Sequence, residues 1–202
     1  MAISYSIFIA FLLVFLSELG DKTQLLVLSF SSKMKTIWIL FGVVLGSLFS
    51  HGIAIFFGSS IGLLENNTLH FYLKLFTYFS FLLFGIFSFF NHDEGNHSQK
   101  ENSFLKKLSS LGLSYVFIIA ASIAIGEFGD KTFLASIGLG ISYPHEKIFL
   151  VIGAILGMVI SDGIAIIFGK FLSHKISENI TKNISGFLFI LFGILGLISM
   201  LF

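Results

Sequence analysis

The chain has 202 residues, 55% of them hydrophobic and only 11% charged, with a formal net charge of +1. A soluble domain carries about a quarter charged residues, so this composition, with a mean hydropathy of +0.97, points to lipid as the solvent. All twelve basic residues are Lys, which disfavours an Arg-forked nucleic-acid surface, and the absence of Cys excludes disulfides, thiolate metal sites and iron–sulfur clusters.

A helix that crosses a bilayer needs about 20 mainly apolar residues. The first such stretch is 3–30. It opens without a basic n-region or a small-residue cleavage site, so it reads as a retained helix rather than a signal peptide. Inside it stands Glu18-Leu-Gly-Asp-Lys-Thr23. Stretches 36–61 and 69–90 follow, and then a polar run, 91–107, that holds His92 and His97 and reads as a solvated linker. The fourth stretch, 111–140, carries Glu127-Phe-Gly-Asp-Lys-Thr132, and 147–172 and 182–202 complete the set. The prediction is an all-α polytopic membrane protein with six transmembrane helices.

The two halves of the chain repeat one another. Beyond the twin motifs, 42–58 (GVVLGSLFSHGIAIFFG) matches 153–169 (GAILGMVISDGIAIIFG), and Leu-Phe-Gly-Ile recurs at 83–86 and 191–194. The offsets are 109, 111 and 108, so only small loop changes separate the copies. Three helices per copy is an odd number, which turns the second copy over: an inverted 3+3 repeat, an architecture of secondary transporters. The organisation predicted is 1–90 as the first repeat, 91–110 as a polar cytoplasmic linker and 111–202 as the second repeat. Eight Lys (33, 35, 100, 106, 107, 170, 175, 182) fall in the connections after spans one, three and five or at the span ends that flank them, against two (74, 147) in or near those after spans two and four. The positive-inside rule then puts the linker in the cytoplasm and both termini outside; the membrane expected is a bacterial inner membrane.

Five of the eleven acidic residues lie inside spans: Glu18, Asp21, Glu127, Asp130 and Asp162. At membrane depth each is tolerable only against protein, water or a cation. Glu18 and Asp21, like Glu127 and Asp130, are three residues apart, which on a continuous helix puts both carboxylates on one face. Each Glu lies about 14 residues into its span, or roughly 21 Å. In a core of about 30 Å the two would miss each other axially by roughly 12 Å; either the helices tilt or break, and Gly20 and Gly129 are placed to permit a break, or there are two subsites. Carboxylates, hydroxyls and carbonyls are hard donors that suit Ca²⁺, Mn²⁺ or Mg²⁺. Thr23, Gln24 and Thr132 are candidate additional oxygen donors; for the two Thr the rival reading is a hydroxyl bonded back to its own helix. Lys22 and Lys131, four residues after a Glu, either simply neutralise it or snorkel, or are displaced from it when a cation arrives. Two Glu, two Asp and two Lys sum to −2, which one dication or two protons would cancel. His51 and Asp162 occupy equivalent repeat positions and read either as pathway or proton-relay groups or as packed, hydrogen-bonded residues. Gly42-x-x-x-Gly46 and Gly153-x-x-x-Gly157 read as close helix contacts.

Two Glu-x-Gly-Asp-Lys-Thr motifs on spans one and four of a duplicated six-span chain resemble the GDT-type family of calcium/manganese–proton exchangers, over nearly the whole chain. The resemblance implies that Glu18, Asp21, Glu127 and Asp130 are the cation ligands and that transport is coupled to protons. Phe133 stands where a Gln often follows the second motif, which implies a contribution from Gln24 on one side only. The expected function is exchange of Mn²⁺ or Ca²⁺ for protons, exporting the cation from the cytoplasm, with the metal as substrate and no cofactor. The rivals are a cation channel, an exporter of a small organic cation such as an amino acid, and an intramembrane enzyme; no His-rich metal motif or nucleophile–base arrangement supports the last.

Overall fold

The computed structural model describes residues 2–19, 21–31, 34–64, 67–90, 114–172 and 178–200. The predicted linker 91–110, Gly20 and the side chain of Lys22 lie outside what is described. Among the described residues the chain is all-α, with eight α-helices. These are α1 (Ala2–Glu18), α2 (Lys22–Phe30), α3 (Thr36–Gly62), α4 (Asn67–Phe90), α5 (Tyr115–Glu127), α6 (Lys131–Ser142), α7 (Lys147–Leu172) and α8 (Glu178–Ser199). A single 3₁₀ turn, Pro144–Glu146, leads into α7.

Two helical stretches are long and apolar enough to cross a membrane, Thr36–Gly62 and Pro144–Ile167, with 27 and 24 residues. Shorter apolar helices run over Tyr5–Glu18, Phe71–Phe87, Tyr115–Glu127 and Phe189–Ser199. The sequence predicts continuous helices over 3–30 and 111–140, and here the structure corrects it. Each is split in two directly after the motif Glu: α1 ends at Glu18 and α2 starts at Lys22, while α5 ends at Glu127 and α6 starts at Lys131. The same turn makes both breaks. The Asp21 N–H donates to the Glu18 carbonyl and the Asp130 N–H to the Glu127 carbonyl, each at 3.1 Å. Gly129 takes φ +82, which an L side chain rarely adopts and which no α-helix continues through.

The helices of one half pack on those of the other. α1 lies along α7, α5 and α6 lie along α3, α4 pairs with α8, and α3 touches α7. Small residues let the backbones approach. A Cβ placed on Gly46 of α3 would come within 2.7 Å of the Ala120 carbonyl oxygen of α5. One on Gly157 of α7 would come within 2.8 Å of the Phe11 carbonyl oxygen of α1. The close packing expected of Gly42, Gly46, Gly153 and Gly157 is therefore present, and it joins the two halves. Gly85 meets Gly186 and Ile190, and Gly193 meets Leu82, at the α4–α8 seam.

The polarity of the body is the reverse of a soluble protein's. Large apolar side chains face outward, among them Ile167 at 72% exposed, Phe76 at 71% and Ile37 at 68%. Glu18, His51, Thr132 and Asp162 are fully buried among Leu13, Ile39, Ile55, Ile123 and Met158. Water would penalise both choices; hydrocarbon rewards them, since an apolar exterior costs nothing in lipid and charges must turn inward. Gly157→Val is expected to overpack the α1–α7 contact and destabilise the protein by about 1–3 kcal/mol. Gly52→Ala is the control: its added Cβ meets only Leu48 Cδ1, at 3.7 Å. Thermal unfolding in detergent should show a lowered Tm for the first and an unchanged or raised Tm for the second.

Candidate cation site

The two helix breaks put their carboxylates where the packing brings α1, α2, α5 and α6 together. Glu18, the last residue of α1, is 0% exposed, and Glu127, the last of α5, is 1% exposed. In each copy the turn carries the chain back over its own Glu. Five residues on, in the first turn of the next helix, a threonine reaches it: the Thr23 Oγ1 donates to Glu18 Oε2 at 3.2 Å, and the Thr132 Oγ1 to Glu127 Oε2 at 2.9 Å. Among the sequence alternatives, the hydroxyls therefore bond neither to their own helix backbone nor away from the site; they hold the motif carboxylates.

The copies face each other. Lys131 Nζ lies 4.0 Å from Asp21 Oδ2, an ion pair from the second motif to the first. A Cβ on Gly126 would be 3.9 Å from Thr23 Cγ2, so the residue before Glu127 packs on the first motif too. The charges that act on Glu18 are Glu127, Asp21, Lys131 and Asp130. Those that act on Lys131 are Asp21, Glu18, Asp130 and Glu127. One ammonium thus stands in the field of four carboxylates drawn from both motifs. Its side chain is 28% exposed and that of Asp21 is 15% exposed, whereas the two Glu are sealed in.

Two sequence expectations change. Glu18 and Asp21 do not share a helix face, nor do Glu127 and Asp130, because the helix stops at each Glu and each Asp lies in the turn beyond it. Asp130 is the residue before the first turn of α6, with φ −73 and ψ 170, and its carboxylate makes no hydrogen bond to that turn. For the same reason the four-residue spacing of Glu127 and Lys131 does not produce an ion pair within one helix. Lys131 crosses to Asp21 instead. The corresponding expectation for Lys22 falls on a side chain outside the described residues. Among the described residues no three His, Asp or Glu side chains stand close enough to enclose a cation by themselves. Hydroxyls, turn carbonyls or water must complete any coordination shell, as is usual for hard cations.

Gln24 and His51 are fixed by serines that the motif-based reading passes over. The Gln24 amide donates to Ser161 Oγ at 2.6 Å and to the Ser161 carbonyl at 3.1 Å, tying α2 to α7. His51 Nδ1 and Ser136 Oγ are 3.0 Å apart, tying α3 to α6. Asp162 is buried on α7 within the field of Asp21 and Glu127. A signal for Ser161 was in the sequence: Ser50-His-Gly-Ile-Ala-Ile and Ser161-Asp-Gly-Ile-Ala-Ile repeat the serine along with the ionisable residue. Ser136 has Val27 at the equivalent motif position, so the repeat gives no hint of it.

The family model of the divalent cation/proton antiporter GDT1 matches residues 6–96 and 115–201. A GDT1-like protein of Synechocystis is 30% identical over 197 residues, covering 92% of this chain and 93% of its own. GDT1-like protein 5 of Arabidopsis thaliana is 27% identical over 217 residues, with 93% and 92% covered. A candidate manganese exporter of Vibrio cholerae is 29% identical over 181 residues, with 88% and 83% covered. No solved structure matches the chain. Both motif copies, the helix breaks within them and the second-helix repeats lie inside the matched residues, and the chain belongs to the GDT1 family of divalent cation/proton antiporters.

Proposed function

We propose that the chain is a six-span, inverted 3+3 carrier that exports Mn²⁺ or Ca²⁺ from the cytoplasm in exchange for protons. Residues 1–90 and 111–202 form the two repeats and 91–110 the cytoplasmic linker. Glu18, Asp21, Glu127 and Asp130 are the cation ligands. The observation that carries this reading is the Lys131–Asp21 pair, with its ammonium in the field of all four carboxylates. Lys131 occupies the electrostatic place of the transported ion. A dication that enters past the partly exposed Asp21 competes with that ammonium, and at the same separation its double charge doubles the Coulomb attraction.

Thr23 and Thr132 hold Glu18 and Glu127 in one orientation so that the buried oxygens are presented together. Discontinuous helices supply the rest, because turn carbonyls and half-helix C-termini favour a cation. Protons and the dication compete for the same carboxylates, and only a neutralised site can change its exposure across a low-dielectric barrier at modest cost. That condition forbids the empty, charged carrier from returning and so couples the two flows. The exchange of packing partners between halves, α1 on α7 and α5 on α3, supports a rocking of one repeat against the other. The lysine distribution supports a cytoplasmic linker, and the name of the Vibrio relative supports manganese and export.

In proteoliposomes, Mn²⁺ or Ca²⁺ flux should follow an imposed pH gradient in direction and size; flux indifferent to that gradient removes the exchange reading. Glu127→Gln discards one buried ligand, worth about 3 kcal/mol, and should reduce flux about a hundredfold. Lys131→Met removes the internal competitor. Its expected signature is opposite in binding and transport: apparent Mn²⁺ affinity rises about tenfold while turnover falls. Equal weakening of both would deny Lys131 the role of a displaced counter-ion.

A further inference from the structure

Asp162 lies outside both motif copies, yet it is 0% exposed on α7. Neither carboxylate oxygen has a hydrogen-bond partner among the described residues. A carboxylate is acceptor-only, with about four lone-pair positions to satisfy. Left bare in the interior it costs several kcal/mol, or about 3 kcal/mol on insertion scales for a membrane centre. Its charged surroundings make matters worse: Asp21 acts on it, and it acts on Glu127. The ammonium of Lys131 is spent on Asp21. Glu18 Oε1, in the same field of Asp21 and Glu127, is likewise a buried acceptor without a partner.

The backbone here is not slack. Ser161, the preceding residue, takes two hydrogen bonds from Gln24 and is itself 0% exposed. That contact fixes α7 against α2, the helix that starts one residue after Asp21. Asp162 is thus anchored through its neighbour Ser161, within the field of Asp21, and not by any bond of its own carboxylate. The equivalent position in the other half is different. His51 is also 0% exposed; its Nδ1 is matched by Ser136 and its Nε2 has no partner, but it is no carboxylate, and among the described residues no charged side chain acts on it.

Two things relieve a buried, unpartnered carboxylate among other carboxylates. A proton removes the charge but adds an O–H donor that then needs an acceptor of its own. A divalent cation satisfies both oxygens at once and also offsets the repulsion from Asp21 and Glu127. We propose that Asp162 is a further cation-binding residue, an oxygen-donor station for the transported dication beside Asp21 and Glu127, built into the second half only. The inference rests on the reading of the chain as a divalent-cation carrier. It makes the path asymmetric, with a carboxylate station on α7 and an imidazole at the matching place on α3.

The test uses the full-length protein, Mn²⁺ as the probe, flux in proteoliposomes and Mn²⁺-induced stabilisation in detergent. If the wild type neither binds nor moves Mn²⁺ or Ca²⁺, the carrier reading falls and this inference with it. With an active wild type, Asp162→Asn should raise the KM for Mn²⁺ at least about tenfold with little change in kcat. It should shrink the Mn²⁺-induced rise in Tm while leaving the metal-free Tm at or above the wild-type value. Asp162→Ser, a second neutral variant, should behave alike, and Asp162→Glu should recover part of the Mn²⁺ response. Wild-type KM and Tm rise in both neutral variants overturn the proposal. So does unchanged Mn²⁺ affinity with loss of proton coupling, which would make Asp162 a proton carrier instead.

Discussion

A cation must stand among the motif carboxylates, and most of the structure follows from that requirement. Glu18 and Glu127 are sealed from solvent, Asp21 and Asp130 are near them, and all four act on Lys131. In an apolar body such a cluster is far from self-sufficient, since each unpaired carboxylate costs more than most side-chain contacts return. The Lys131–Asp21 pair is the internal answer. It needs both helices broken after their Glu, because continuous helices would carry Asp21 and Lys131 up their own axes and not toward each other. It also needs the close glycine contacts of α1 with α7 and of α5 with α3, without which the two breaks would stand apart.

The repeat copies keep the backbone and vary the side chains. Both breaks share the Asp N–H to Glu carbonyl bond at 3.1 Å and the threonine that reaches back to the Glu. At the flanking positions the copies part. Gln24 stands against Phe133, and His51 against Asp162. Gln24 binds Ser161 on α7, while Phe133 lies tilted against Phe128, with ring centroids 4.6 Å apart and planes at 42°. A carrier that presents one site to two sides benefits from matched hinges, since the two exposures then cost similar energies. The two copies thus share the helix break and differ in the side chains beside it.

Much of this was legible in the sequence, for definite reasons. Buried charge in an apolar chain is rare enough that Glu18, Asp21, Glu127 and Asp130 stood out, and the twin motif gave their kinship. The depth mismatch of the two Glu left a tilt, a break or two subsites open, and the structure has the break, with Gly129 at φ +82. The spacing argument failed where it assumed a continuous helix: a three- or four-residue separation predicts contact only while the helix runs on. The Lys131–Asp21, Gln24–Ser161 and His51–Ser136 contacts each join opposite halves of the chain. No local pattern announces such pairs, because they depend on how the halves dock.

Cation and proton sharing one set of carboxylates is the central claim, and proton release on cation binding tests it most directly. Mn²⁺ titrated calorimetrically into the detergent-solubilised protein, in buffers of different ionisation enthalpy, reports the protons displaced per ion bound. The account predicts a net release, approaching about two protons per Mn²⁺ at pH values where the empty site is protonated. It also predicts that the release disappears when Glu18 and Glu127 are both replaced by Gln. Mn²⁺ binding with no proton displaced across the pH range would contradict it.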